Sequence, residues 1–243
     1  MANKNNKKAN ETTGIEEMSE SLTSFSSKIE QHKKKIGMAV SVIIIIALAV
    51  FGFVFWNRHS DNESAKKYSG VEAKVAAQAM KADPAVRDSV FNALSIKELQ
   101  TLAKSDQGKA GGNLANLDLA SRYYGEKKYN EAIACLKNVT IDEPVMKASA
   151  TILLADCYVN TKKYNEAIAA LDDAIGLSTD NPEIAVRAML KKATILDSQK
   201  KYADALAVYE TMQKDYPQQT AMMAQAGFNV EGYIARDQAR LNK

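Results

Sequence analysis

An eight-residue sequence that occurs three times constrains this 243-residue chain more than any other feature. The letters KKYNEAIA occur at Lys127–Ala134 and again, unchanged, at Lys162–Ala169, and the variant KKYADALA follows at Lys200–Ala207. The tyrosines of the three copies are 35 and 38 residues apart. Self-similarity at such a period is typical of repeat proteins, in which each unit is one supersecondary element that packs against its neighbours.

Each octapeptide joins two alanine-rich amphipathic segments, which predicts a helix, a tight turn and a second helix. In the first unit Leu119, Ala120 and Tyr123 are spaced like one face of a helix. Ala132 and Leu136 are spaced like the facing stripe of the next helix. The small side chains of Ala120 and Ala132 indicate close contact between two helices, where a larger residue would cost about 1–3 kcal/mol by overpacking. The chain is therefore predicted to be all-α.

The units resemble tetratricopeptide repeats, whose pattern W-x₂-L-G-x₂-Y…A-x₃-F…P has a period of about 34 residues. The positions that match are Asn116, Leu119, Ala120, Tyr123, Ala132, Leu136 and Pro144 in unit one, Thr151, Leu154, Ala155, Tyr158, Ala167 and Leu171 in unit two, and Met189, Ala193, Leu196, Ala205, Tyr209 and Pro217 in unit three. The tryptophan of the pattern is absent throughout, and Lys192 occupies a position where leucine is usual. The resemblance covers residues 113–217 and implies an α-solenoid of about three full helix-turn-helix repeats with flanking capping helices.

The flanks of the array are predicted to be helical caps, because a repeat unit alone cannot bury its apolar face. Residues 57–112 are interpreted as an N-terminal cap or a degenerate repeat, with a helix over Ser64–Met80 and one or two more over Ala85–Ser105. Residues 218–243 are interpreted as a C-terminal cap made of one long helix, Gln219–Leu241.

Residues 36–56, IGMAVSVIIIIALAVFGFVFW, form a run of 21 residues without a charge. A helix of this length is about 31 Å long, which matches the hydrocarbon core of a bilayer, so the run is predicted to be a transmembrane helix. A cleaved signal peptide is disfavoured because 35 residues precede the run and because more apolar residues follow the Ala47-Leu48-Ala49 triplet. We therefore interpret the run as an uncleaved signal anchor.

The flanking cations predict the orientation of that anchor. Four lysines crowd its N-terminal side: Lys28, Lys33, Lys34 and Lys35. The cations on its C-terminal side are spread out and mixed with Asp61 and Glu63: Arg58, Lys66 and Lys67. This bias favours a cytoplasmic N-terminus. The expected protein is a single-pass bacterial inner-membrane protein whose repeat domain lies in the periplasm.

Residues 1–35 are predicted to be a cytosolic tail with a short amphipathic helix. Apolar residues recur there at heptad-like spacing: Ile15, Met18, Leu22, Phe25 and Ile29. Two heptads are marginal for a helix alone. The segment is interpreted as a helix on the inner leaflet, as a stretch without stable structure, or as a partner-binding helix, and the sequence leaves the three open.

Composition and motifs weigh against enzymatic chemistry. The net charge of +3 offers no strongly basic surface for nucleic acid, and two histidines form no metal site. No Ser/His/Asp set is evident, and Gly108, Gly111 and Gly112 lack phosphate-loop spacing, so they are interpreted as a loop before the first full repeat. No cofactor, metal, nucleic acid or small-molecule substrate is expected. Cys135 and Cys157 are either two buried free thiols or a disulfide.

The expected functional surface is a groove lined by the first helices of successive units, as the tetratricopeptide resemblance implies. Nine residues should face it by repeat position: Leu117, Ser121, Tyr124, Ile152, Asp156, Val159, Arg187, Leu190 and Thr194. This apolar surface with scattered polar groups suits a protein segment better than a small metabolite. The set does not match the carboxylate clamp of the chaperone-tail family, so recognition of an acidic C-terminal tail by that mechanism is not expected.

The layout of a lysine-rich tail, one anchor and a short repeat array resembles the ancillary SecYEG translocon subunit family. That resemblance implies a non-enzymatic periplasmic scaffold or chaperone-like factor near the translocon, which engages chaperones or newly exported chains. Two alternatives have the same fold and a different role. They are a scaffold for envelope assembly or cell division, and a regulatory subunit of a membrane enzyme controlled through residues 15–29.

Overall fold

The computed structural model describes residues 44–242, and every regular element in that range is a helix. The prediction of an all-α chain is therefore confirmed for these residues. The chain divides after His59, so residues 44–59 and residues 60–242 are described separately.

Residues 44–59, at the N-terminal end of the described range, are helical. The large apolar side chains of this segment are exposed: Ile44, Ile45, Ile46, Leu48, Val50, Phe51, Phe53, Val54, Phe55 and Trp56. Among the helices of residues 44–242, none combines the length and the apolar character needed to cross a membrane. Residues 36–43 of the predicted anchor, and the whole 1–35 tail with its apolar stripe, lie outside the described residues.

Residues 60–242 contain ten helices. They are α1 (60–79), α2 (Arg87–Ser105), α3 (Ala110–Gly125), α4 (Tyr129–Lys137), α5 (Pro144–Asn160), α6 (Tyr164–Gly176), α7 (Pro182–Ser198), α8 (Tyr202–Asp215), α9 (Pro217–Gln225) and α10 (Val230–Leu241). Three of them, α5, α7 and α9, begin with proline, which has no amide hydrogen to leave unpaired at that position. Pro182 thus begins α7.

Three helical hairpins, α3–α4, α5–α6 and α7–α8, correspond to the three repeats of the sequence. Ala120 and Ala132, predicted to mark a close helix contact, are both fully buried. The equivalent alanines of the other two hairpins expose no more than 1% of their surface: Ala155, Ala167, Ala193 and Ala205. The second helix of each hairpin packs on the first helix of the next, so the hairpins stack in chain order as the repeat pattern predicted.

The turn inside each hairpin has the same unusual backbone conformation. The first lysine of each octapeptide has a positive φ of 59° or 60°: Lys127, Lys162 and Lys200. The amide of the next residue then donates back to the end of the preceding helix, for example from Lys128 to the Tyr123 carbonyl at 2.8 Å. This left-handed residue ends the first helix, and the tyrosine begins the second.

The N-terminal end of the array is closed by α1 and α2. A single helix, α2, occupies the region for which the sequence allowed one or two. Helices α1, α2 and α3 share a cluster of buried side chains: Val71 and Val75 of α1, Leu99 and Leu102 of α2, and Ala115 and Leu119 of α3. The cap therefore continues the apolar interior of the first full repeat.

Of the three glycines predicted to form a loop before the first repeat, Gly108 lies in a turn, but the prediction was wrong at Gly111 and Gly112. Both lie buried in the first turn of α3. A Cβ atom at Gly111 would lie 2.0 Å from the Ser64 carbonyl oxygen, and one at Gly112 would lie 2.0 Å from the Asp106 carbonyl oxygen. The Gly111 amide donates to Ser64 Oγ at 3.0 Å, so α1 supplies a hydrogen-bond acceptor to the start of α3.

The C-terminal cap consists of two helices, and the prediction of one long helix was wrong. The break lies at Gly227, which has a φ of +93°. The Phe228 amide donates to the Met223 carbonyl at 2.9 Å, which closes the end of α9. Asn229 then caps α10 by accepting from the Gly232 amide at 3.1 Å.

Helix α10 covers the third repeat. Its Val230 belongs to the same buried cluster as Tyr209 and Met212 of α8. Arg240 donates to Asp197 at the end of α7, with an Nη1–Oδ1 distance of 2.8 Å, and Arg236 also pairs with Asp197. These contacts hold α10 against the third repeat.

Candidate functional site

The nine residues predicted to face a groove lie on three neighbouring helices, each the first of its hairpin. Leu117, Ser121 and Tyr124 belong to α3; Ile152, Asp156 and Val159 to α5; and Arg187, Leu190 and Thr194 to α7. Helix α3 contacts α5, and α5 contacts α7. We call the surface of these three helices that carries the nine residues the inner face.

The nine residues differ in how far solvent reaches them. Ser121, Arg187 and Thr194 are exposed, whereas Leu117, Tyr124, Asp156, Val159 and Leu190 are half-buried. Ile152 exposes only 5% of its surface because it belongs to the apolar cluster that runs through the three repeats. Ile152 is therefore an interior residue and not a contact residue, while the assignment of the other eight to binding stays a prediction.

The centre of the inner face is electrostatically neutral. Lys191 of α7 donates to both carboxylate oxygens of Asp156 of α5, at 2.8 and 3.1 Å. Both side chains are partly exposed, so the pair contributes no more than about 1 kcal/mol to stability. Its main effect is on recognition, because Lys191 and Asp156 already pair with each other and are therefore less available to charged groups of a bound segment.

The α3 end of the inner face is aromatic. The rings of Tyr124 and Tyr129 meet edge to face, with 5.5 Å between their centroids and an angle of 66° between their planes. Tyr124 remains half-buried in this contact. An aromatic ring fixed by its neighbour offers apolar contact area at low cost in side-chain entropy.

At the α7 end, the inner face opens into an apolar cleft of about 440 Å³. The cleft lies between the first half of α7 and the short helix α9, and we call it the α7–α9 cleft. Its lining residues are Glu183, Val186, Arg187, Leu190, Gln219, Met222, Met223, Ala226 and Phe228. Two of them, Arg187 and Leu190, belong to the set predicted from the sequence.

The sequence reasoning missed the α9 wall of this cleft. It predicted a single helix over Gln219–Leu241, without a break between Ala226 and Val230. The signal that could have separated the two helices is the run Gly227-Phe228-Asn229, in which a glycine suited to a helix end precedes an asparagine suited to a helix start.

The helical hairpins of this chain match models of known protein families. A model described as a tetratricopeptide repeat-like domain matches residues 31–178, which is more than half of the chain. The chain belongs to the tetratricopeptide repeat-like domain family. A second model, described as a tetratricopeptide repeat, matches residues 187–218. Membership indicates a scaffold for protein–protein interaction.

Two further comparisons concern individual proteins. No curated protein matches the sequence of this tetratricopeptide repeat-like protein. Among solved structures, a crystal structure of MamA matches with 20% sequence identity and a TM-score of 0.45, over 66% of this chain and 96% of the MamA chain.

A second cleft of the tetratricopeptide array lies away from the predicted residues. It has a volume of about 590 Å³ and is formed by α6, α7 and α8. Lys192, at the position where leucine is usual, lines this cleft and pairs with Asp172 of α6. A charged pair thus occupies a place where an apolar residue would have closed the contact between repeats.

Neither cysteine of the tetratricopeptide array is activated as a nucleophile. Cys135 and Cys157 are both free, and the second is fully buried. Burial, to which the Asp156 carboxylate adds, raises the pKa of the Cys157 thiol to about 11, and burial also raises the pKa of Cys135. Both groups are therefore protonated at neutral pH and are weak nucleophiles. Within residues 44–242, no group of three or more potential ligands could hold a metal ion.

Proposed function

We propose that this protein is a non-enzymatic, membrane-anchored adaptor that binds segments of other proteins on its inner face. The observation that carries the proposal is the alignment of three first helices, which present half-buried apolar side chains beside exposed polar ones. Such a surface fits an extended or helical segment, because apolar anchors supply affinity while polar neighbours set the register.

The proposed anchor is residues 36–56. The uncharged length of the run supports this role, and so do the exposed apolar side chains of residues 44–56. Burial of these side chains in hydrocarbon would remove a large apolar area from water. Anchoring would also hold the inner face near the membrane, which raises its effective concentration toward membrane-emerging partners to about the millimolar range.

The proposed setting is the bacterial inner membrane, with the N-terminus in the cytoplasm and the repeats in the periplasm. The clustering of four lysines before the run supports this orientation. A reporter enzyme that is active only outside the cytoplasm, fused after Lys243, is expected to be active. A silent fusion, with normal amounts of fused protein, would reverse the orientation.

The proposed client is a newly exported chain, a periplasmic chaperone or the Sec translocon itself. This part of the proposal comes from the resemblance of the layout to the ancillary SecYEG translocon subunit family. A different client would change the role to a scaffold for envelope assembly or cell division. A cytosolic enzyme bound through the tail would make the protein a regulatory subunit.

Photo-crosslinking in living cells tests these roles. A photoreactive amino acid at Tyr124 or Val159 of the full-length chain is expected to capture translocon subunits, chaperones or exported chains, identified by mass spectrometry. The matched control is Ala169, an exposed residue of α6 on the second helix of its hairpin. Equal capture from Ala169 would contradict binding by the inner face.

The identity of the captured proteins decides among the clients. Division or outer-membrane proteins captured from Tyr124 or Val159 would support the scaffold for envelope assembly instead of the Sec-associated role. A cytosolic enzyme captured from a photoreactive residue at Phe25 would support the regulatory subunit.

A further inference from the structure

The α7–α9 cleft has apolar walls that the protein itself leaves uncovered. Val186 forms its base and is 2% exposed, and Leu190 forms part of its wall. On the opposite side Met222 is 65% exposed and Phe228 is 48% exposed. The volume of about 440 Å³ falls in the range of ligand-binding pockets, which is about 300–1,000 Å³.

Helix α9 contributes little to the interior of the array. Thr220 is its one buried residue, whereas α7 and α8 bury eight and three residues respectively. Helix α10 covers the third repeat through Val230 and the Asp197–Arg240 pair. Met223 of α9 packs partly against the same buried cluster, whereas Met222 is exposed and available for contact with another molecule. The thioethers of the two α9 methionines adapt readily to partners of different shape.

The cleft also carries Arg187, a cation without a hydrogen-bond or ion-pair partner among the described residues. Arg187 makes no hydrogen bond or ion pair within residues 44–242, whereas the next two lysines of the same helix, Lys191 and Lys192, are each paired with an aspartate. Glu183, the acidic residue of the cleft, lies in the first turn of α7, where the helix dipole stabilises a negative charge. Glu183 also has no hydrogen bond or ion pair among the described residues. The helix dipole therefore distinguishes the two charges, because it stabilises Glu183 and leaves the positive charge of Arg187 for a partner.

This cation is specific to the third repeat. Arg187 lies 15 residues before the tyrosine of its octapeptide, and the residues at the same distance before the tyrosines of the first and second copies are Leu114 and Ser149. Neither of the earlier repeats offers a charge at this position. The combination of an apolar cleft and an unpaired arginine is therefore a local feature of the α7 end of the inner face.

We propose that the α7–α9 cleft binds a protein segment with one or two large apolar side chains beside a carboxylate. Leucine, methionine or phenylalanine side chains enter between α7 and α9, and an adjacent aspartate or glutamate pairs with Arg187. This inference rests on the proposed function, because the cleft extends the same inner face. It goes further by giving the chemistry of the bound segment and the end of the array that selects it.

A peptide-binding experiment with the full-length chain in phosphatidylcholine nanodiscs tests this assignment. The probes are fluorescein-labelled twelve-residue peptides of glycine and serine, with two central residues chosen from leucine, methionine and phenylalanine and followed by glutamate. We expect at least one of these peptides to bind. Replacing its two apolar residues by serine should weaken binding about tenfold or more, because the burial of those side chains is lost.

Arg187 is tested by a double-mutant cycle. Glutamine in place of the peptide glutamate should weaken binding to the native chain by about threefold to fivefold, as expected for a partly exposed ion pair. The same change should have no effect on the Arg187→Gln protein. Arg187→Lys should keep the preference for glutamate. Lys147→Gln, which removes an exposed cation of α5, is the matched control and should bind like the native chain.

Three results would overturn the assignment. One is that no peptide of the set binds more tightly than its serine control. Another is that the glutamate preference survives in Arg187→Gln. The third is that oleate binds in an Arg187-dependent way while no peptide does, which would make the cleft a fatty-acid site. If crosslinks from Tyr124 and Val159 persist in any of these cases, the proposed adaptor function stands and only the cleft assignment fails.

Discussion

The two ends of the repeat array are built in opposite ways. At the N-terminal end, the start of α3 fits against α1 so tightly that Gly111 has no room for a side chain. At the C-terminal end, α9 buries one residue and leaves a cleft against α7. The first end is fixed by close backbone approach, and the second is left open for contact. The comparison indicates that this array keeps its stability and its adaptable surface in different places.

Buried polar groups strengthen the closed end further. Asp106 is almost fully buried, and Lys67 of α1 donates to both of its carboxylate oxygens at 3.1 Å. Burial acts to raise the pKa of Asp106, but hydrogen bonds from the Ser64, Lys67 and Ser105 side chains outweigh it and hold the pKa below its usual value. The carboxylate is therefore ionised and satisfied, which makes α1 an integral part of the fold.

The largest expected effect is at the closed end. Gly111→Ala should lower the free energy of unfolding by about 3 kcal/mol, because the added methyl group meets the Ser64 backbone. Urea denaturation followed by circular dichroism measures the change. The control is Gly70→Ala in α1, where a Cβ meets nothing within 4 Å. That variant should be more stable by about 0.5–1 kcal/mol, since alanine favours the helix. Equal effects of the two substitutions would contradict the tight junction.

A smaller loss is expected inside the hairpins. Ala167→Leu should destabilise the protein by about 1–3 kcal/mol, because the alanine is fully buried between two helices. The matched substitution in the open region is Ala224→Leu on α9, where the residue is exposed. It should change stability by less than about 0.5 kcal/mol. The melting temperatures of the two variants are measured by thermal unfolding. Equal melting temperatures would contradict the expected difference between the buried and the exposed position.

Alkaline pH should weaken the interior of the second repeat through Cys157. The pKa of its thiol is about 11 in the folded protein and about 9 when exposed, so the unfolded chain loses its proton first. Stability from this group is complete below pH 9 and is lost as the pH rises toward 11, by about 1 kcal/mol at pH 10.

The measurement for Cys157 is the difference between the native protein and Cys157→Ala in the pH dependence of urea unfolding. The subtraction removes the titration of tyrosines and lysines that both proteins share. The native protein should lose stability more steeply between pH 9 and pH 11. Parallel curves would show that the thiol does not titrate differently in the two states.

The smallest effect is expected at the turns. Lys162→Gly should raise the free energy of unfolding by about 0.5–1 kcal/mol, because glycine adopts a positive φ without strain and lysine does not. Lys97→Gly, at an exposed position within α2, should lower it by about 1 kcal/mol. Chemical denaturation distinguishes the expected gain in stability of Lys162→Gly from the expected loss in Lys97→Gly. A loss of stability in Lys162→Gly would contradict the backbone strain proposed at Lys162.

The features that could be predicted from the sequence are those that repeat. Ala120 and Ala132 recur in each unit with helical spacing, so their burial followed from the pattern alone. The register also placed Leu117, Arg187 and the other candidate residues on the correct first helices. These inferences succeed because helix periodicity and nearest-neighbour packing are local in the chain.

The features that escaped prediction depend on what packs from elsewhere. Gly111 is a loop residue by local propensity, and only the distant Ser64 explains why the first turn of α3 has glycine at this position. Ile152 has the repeat position of a surface residue, but the adjacent hairpin covers it. Lysine has no preference for a left-handed turn, so Lys127 and its two equivalents carried no sequence signal. The α7–α9 cleft required the break at Gly227, which apolar spacing alone does not show.

The bond between Ser64 and the start of α3 also has a consequence for the order in which the polypeptide acquires its structure. The Gly111 amide and the Ser64 hydroxyl are separated by 47 positions along the chain. A nascent chain that has not yet reached Gly111 has α2 for α1 to pack against, but it lacks the start of α3, which bonds to Ser64. We therefore expect the contact between α1 and α3 to form later than the contacts of the central hairpins, whose partners are adjacent in the chain.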